Sequence, residues 1–145
     1  MPPNYYSDMT GLTTDSELFK LLLRERFPKL MRHLTKLDVE IGCASWQWFV
    51  TMFSYNIGLP ELFRFWDLIF LKGSVALFEL ALCIIAVSEK ELLRQPDAPS
   101  VLMALPNLAK QALEDKPLFF QTFAANKKCR VSQRWLDKMR AAFEV

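Results

Sequence analysis

Arg64 and Asp67 stand three residues apart in LPELFRFWDLIFLKG, with Glu61 one turn earlier, a spacing that puts a guanidinium and two carboxylates on one side of a helix. Such a cluster can form an internal ion pair or present charge to a partner, and the ion pair, fixing this helix against its neighbours, is the preferred reading. Other chemistry is poorly served. His33 is the only histidine, which excludes a multi-histidine metal site, and it reads as a boundary residue beside Leu30 and Leu34. Ser45 and Ser54 lack the strand-turn-helix G-x-S-x-G context of a nucleophile. Cys43, Cys83 and Cys129 lack the spacing of a zinc site and read as reduced, buried thiols of a cytosolic protein. There is no G-x-x-x-x-G-K-[ST] phosphate loop. These residues point to binding rather than to catalysis, cofactor or metal chemistry.

The elements that must position the cluster follow from the apolar pattern. Thr14, Asp15, Ser16 and Glu17 form a capping-box signal that predicts a helix start, and Leu18, Phe19, Leu22 and Leu23 give that helix one apolar face. Pro28 ends it or opens the next, whose stripe is Leu30, Met31, Leu34 and Leu37. In the third segment, Ala44 to Tyr55, Trp46, Phe49, Val50 and Phe53 line one side while Trp48, Met52 and Tyr55 fill the other, so this helix belongs in the interior. Asn56 and Gly58 break the pattern and Pro60 restarts it. Leu62, Phe63, Trp66, Ile69 and Phe70 then carry a fourth helix to Gly73, a suitable stop. Ser74 is placed to cap a fifth, Val75 to Val87 and beyond. That apolar run is too short for a membrane span, which needs roughly twenty residues.

Gln95, Pro96, Asp97, Ala98 and Pro99 punctuate the chain and end its dense core. Short helices are expected around Ser100 to Leu105, Asn107 to Leu113 and Pro117 to Ala124. A last one runs from Ser132 to Phe143 with Trp135, Leu136, Met139, Ala142 and Phe143 on its apolar side. No segment alternates with period two, so the fold class is all-α, an irregular multi-helix bundle of about eight helices. The 145 residues fit one domain, and 52% apolar content with twelve Phe and four Trp is a heavy load for it, so part of that surface is expected to face a partner. A formal charge of +2 is too mild for a nucleic-acid footprint. The N-terminus lacks the pattern of a secretory signal or transit peptide, and the expected address is the cytoplasm. Lys127, Lys128, Arg130, Arg134, Lys138 and Arg140 make the C-terminal region basic; a solvated helix face is preferred over peripheral contact with anionic lipid or an acidic partner.

Taken in order, YYSDMTGL with Asp15, the spacing of Pro28, Leu30, His33 and Leu34, then Trp48, Phe49, Phe53 and Ser54, the tetrad Arg64, Phe65, Trp66 and Asp67, and Gly73 resemble the C-terminal half of a TBC domain. That is the all-helical catalytic domain of GTPase-activating proteins for Rab-type GTPases. The resemblance covers about residues 3 to 95. It implies a partial TBC domain over 1–95 and a helical extension over 96–145. Trp48, Phe49 and Phe53 are then family core residues, and Arg64, Trp66 and Asp67 a structural motif that could edge a GTPase-facing rim. Phe65 stands where the family has Ile or Val.

In that family an Arg from an IxxDxxR segment offsets charge on the transferring phosphoryl group and a Gln from a YxQG segment orients the attacking water, and both precede the YYS run. Neither segment occurs in these 145 residues. The resemblance therefore implies a pseudo-activator in vesicle trafficking, with no catalytic residue of its own and a domain half missing. It would bind a Rab-type GTPase, or a protein that covers the missing half, without accelerating hydrolysis alone. Two alternatives stay open: one part of an active domain completed by another chain, and a structural subunit of a larger assembly with no GTPase contact. Loss of that half would expose apolar surface.

Overall fold

The computed structural model describes residues 10–54 and 57–143, the side chains of Thr10, Cys43, Ala44, Ser45 and Lys116 excepted. The YYS run, Tyr55, Asn56 and the expected burial of Cys43 lie outside them. The described residues form nine α-helices and two short 3-10 turns, with no strand among them: α1 (Thr10–Arg26), α2 (Pro28–Lys36), α3 (Gly42–Thr51), α4 (Leu59–Lys72), α5 (Val75–Arg94), α6 (Ala98–Ala104), α7 (Leu108–Ala112), α8 (Lys116–Ala125) and α9 (Gln133–Phe143). The all-α expectation holds. None of these helices is long and apolar enough to cross a membrane.

The expected start of α1 does not hold. The helix is already running at Thr10, so Thr14 lies inside it and Glu17 pairs instead with Lys20 at 3.1 Å. Lys20 also reaches Glu40 at 3.1 Å, tying α1 to the turn before α3. The apolar face is as read: Leu18, Phe19, Leu22 and Leu23 are buried. Pro28 opens α2 in its first turn, where a missing N–H costs nothing. At the far side of α2, His33 Nε2–H donates to the Gln95 carbonyl at 2.9 Å, the boundary role expected of it.

Helix α3 stops at Thr51, short of the expected Tyr55. Met52 and Phe53 both take left-handed backbone angles, φ 50° and 64°, which cost a non-glycine residue of order 1 kcal/mol each. The reversal is held by what it delivers. Phe53 enters the core, stacked on Trp48 (6.1 Å) and edge-on to Phe65 (5.3 Å), and the Met52 carbonyl accepts from Trp66 Nε1 (2.9 Å). Aromatic contacts run onward from Phe65 to Phe119 (5.6 Å) and, separately, from Phe19 through Phe49 to Phe78.

Helix α5 is the centre of the bundle. Every residue from Val75 to Ile85 is buried, including the carboxylate of Glu79. Gly73 makes the preceding turn with φ 77°, a conformation that disfavours any side chain, and Ser74, which stands at the N-cap of α5, makes no side-chain capping bond. Glu79 is met by Lys72 from the end of α4, by Arg130 at 3.5 Å and by the Val131 N–H at 3.2 Å. Helices α7 and α8 and the 3-10 turn at Lys127–Cys129 pack on α5, with Asp97 and Asp115 capping α6 and α8. Two of the six basic residues of the C-terminal region thus serve internal pairing. Arg130 faces Glu79, and Arg140 on α9 makes a two-pronged bond to the fully buried Asp15 of α1, 2.9 and 2.6 Å.

Cys83 and Cys129 are free and buried, as expected. Cys83 Sγ donates to the Phe119 carbonyl at 3.5 Å; the neighbouring Cys129 thiol and burial push Cys83 well above its usual pKa, and Cys83, opposed by burial and aided by Arg130, holds Cys129 below its own.

Two substitutions test this packing. Arg140→Ala removes the cation that neutralises the buried Asp15 carboxylate and is expected to lower stability by about 3–5 kcal/mol in urea unfolding. Phe65→Ala, emptying the space between Phe53 and Phe119, is expected to cost about 3–5 kcal/mol in the same measurement. A loss within about 0.5 kcal/mol, the range of an ordinary surface change, would show that either contact is not formed in solution.

Candidate partner-binding site on the fourth helix

Helix α4 carries the tetrad, and its residues part company. Phe65 points into the core with no exposed surface, in company with Leu62 and Ile69. Trp66 is half-buried at the edge, its indole N–H on the Met52 carbonyl and its ring against Phe63 at 6.1 Å. Arg64 does not join Asp67. Its guanidinium lies 3.6 Å from the centre of the Phe120 ring, and Asp67 is exposed with no ion pair among the described residues. The internal Arg64–Asp67 pair expected from the spacing is therefore replaced by a cation–π contact with α8, worth about 0.5–2 kcal/mol. Glu61 is buried and lies on the inner side. Trp48, Phe49 and Phe53, which the resemblance marks as core residues, are buried here.

The expected apolar stripe of α4 also divides. Leu62 and Ile69 are buried, but Phe63 and Phe70 are 54% and 75% exposed, with Leu59 at 64% and Leu71 at 83%. Leu59, Phe63, Trp66 and Phe70 recur at steps of four, three and four, which aligns them along one side of a helix. The helix thus has two apolar faces, one inside the bundle and one forming a ridge toward solvent. Periodicity alone does not separate them, because apolar residues occur nearly all round this helix.

The arrangement supplies no nucleophile, general base or metal ligand set. A ridge of one leucine and three aromatics, edged by the exposed carboxylate of Asp67, is suited to burial against protein, each large side chain contributing on the order of 1.5–3 kcal/mol when fully covered.

The sequence matches the Rab-GTPase-TBC domain family over residues 1–93. It is 32% identical to Small G protein signaling modulator 3 of Bos taurus over 119 residues, which cover 81% of this chain and 16% of that protein. TBC1 domain family member 2B of Xenopus tropicalis is 29% identical over 119 residues, covering 81% of this chain and 13% of that protein. A protein of Emericella nidulans provisionally named as a GTPase-activating protein is 31% identical over 143 residues, 98% of this chain and 12% of its own length. The chain thus spans less than a fifth of each of these relatives. No solved structure matches it. The chain belongs to the Rab-GTPase-TBC domain family.

Proposed function

We propose that the chain acts as the C-terminal helical lobe of a Rab-regulating TBC domain. It engages a Rab-type GTPase, or the protein that completes the domain, through the outer face of α4, and does not by itself accelerate GTP hydrolysis. The observation that carries this reading is the family match over residues 1–93, set beside 145 residues that contain neither an IxxDxxR nor a YxQG segment. Without an Arg to offset charge on the phosphoryl group and a Gln to orient water, the lobe has binding but no transition-state chemistry to offer. The proposed setting is cytoplasmic, with recruitment to trafficking membranes through the GTPase.

The α4 ridge also favours the reading in which this chain is one part of an active domain completed by another chain bearing those motifs, since exposed apolar faces of this kind favour association. A structural role without GTPase contact has no such observation behind it.

Single-turnover hydrolysis with a panel of GTP-loaded Rabs separates these. With this chain alone the expected rate is the intrinsic one, whereas a complete activator raises it by roughly three to five orders of magnitude. Acceleration by this chain alone would overturn the finger-less reading, and acceleration only after adding a chain with IxxDxxR and YxQG would establish the split domain. In the same panel Phe63→Glu and Phe70→Glu are expected to weaken binding at least about tenfold with unchanged unfolding midpoints. Absence of affinity for every Rab and every completing chain would leave the structural role.

A further inference from the structure

A second surface, on α1 and α2, has different chemistry. Arg24, Pro28, Met31, Arg32, Thr35 and Lys36 line an open groove of about 510 Å³. Its apolar lining is Pro28 and the half-buried Met31, and the rest is three cations and a hydroxyl with no carboxylate. None of the three cations holds an ion pair among the described residues, and Arg24 feels Glu40 only at a distance. The residues from Arg26 to Leu37 contain no Asp or Glu. Lys29 falls on the same side of α2 as Arg32 and Lys36, at steps of three and four.

The C-terminal region adds to this field. The Lys128 ammonium lies 5.3 Å from the Phe27 ring at the corner between α1 and α2, and Arg26 donates to the Lys128 carbonyl at 3.1 Å, holding the turn there. Lys127 and Lys128 are exposed. A chain of net charge +2 thus gathers about a third of its cations around one groove, enough to draw an anionic ligand to it.

We propose that this groove binds an acidic protein segment that carries an apolar anchor residue, the anchor lying on Pro28 and Met31 and its carboxylates meeting Arg24, Arg32 and Lys36. The apolar lining decides against a lipid surface. A peripheral membrane contact needs Trp, Phe or Leu to enter the headgroup layer, and this groove offers only Pro28 and the half-buried Met31. Charge pairing here contributes chiefly association rate and specificity, and the apolar lining supplies the contact that distinguishes the ligand from any polyanion. This site is independent of the α4 ridge and does not rest on GTPase binding.

The probe is a fluorescein-labelled twelve-residue peptide of Asp and Glu around a central Leu-Phe pair, titrated with the whole chain in about 0.1 M salt and read by anisotropy. A matched peptide with Ser-Ser at the centre is the control. Expected are binding of the Leu-Phe peptide, at least about tenfold weaker binding of the control, and a further loss of about tenfold in Arg32→Glu and in Lys36→Glu. Both substituted side chains are exposed, so circular dichroism should be unchanged, and Lys138→Glu on α9 should bind as the parent does. Equal affinity for the two peptides, unaltered binding in both charge reversals, or binding only to 70:30 phosphatidylcholine–phosphatidylserine vesicles would overturn the proposal.

Discussion

A carboxylate sits in the most buried stretch of the chain, and much of the fold is arranged around its charge. Glu79 in the middle of α5 is almost wholly removed from water, and a lone ion there would be strongly unfavourable. Its partners come from both directions: Lys72 across the Gly73 turn, Arg130 and the Val131 amide from the C-terminal region. The turn after α4 must therefore be tight, and the chain beyond α8 must cross back over α5. Asp15 with Arg140 repeats the device where α9 meets α1. These two pairs fasten residues beyond the family match to the helices within it. Paired buried charges need not add net stability, yet losing one partner is costly, so they act mainly by excluding other arrangements of the tail.

The same two pairs show where reading the sequence stops. Helix existence was legible for every long segment because apolar residues recur at helical spacing in α1, α2 and α9, and because Pro28, Pro60, Gly73 and the Pro96–Pro99 stretch punctuate the rest. Ends were less legible. Thr14 and Glu17 have the form of a capping box, but the helix had begun earlier and Lys20 claimed the carboxylate. Helix α3 stops at Thr51, capped by Met52 without a glycine, for reasons that lie in Phe65 and Trp66 on another helix. Contacts across long stretches of sequence, such as Arg64 on Phe120 or Arg140 on Asp15, leave no local signal at all.

The tetrad illustrates the consequence for function. Its spacing suggested a closed ion pair, whereas the fold sends Phe65 inward, lays Arg64 on α8 and leaves Asp67 beside an exposed aromatic ridge. This helix is apolar on both faces, and only one of them is packed inside the bundle. The inner face is part of the bundle's core; the outer face and the cationic α2 groove are open surfaces, and family membership does not by itself assign their ligands.

The central claim is that the outer face of α4 is where this lobe meets its GTPase or completing chain. Hydrogen–deuterium exchange of the chain, alone and with each GTP-loaded Rab or a chain bearing the IxxDxxR and YxQG segments, tests it most directly. Slower exchange across residues 59–72 on complex formation is the predicted result. A stable complex that leaves 59–72 unchanged while protecting other segments would contradict it.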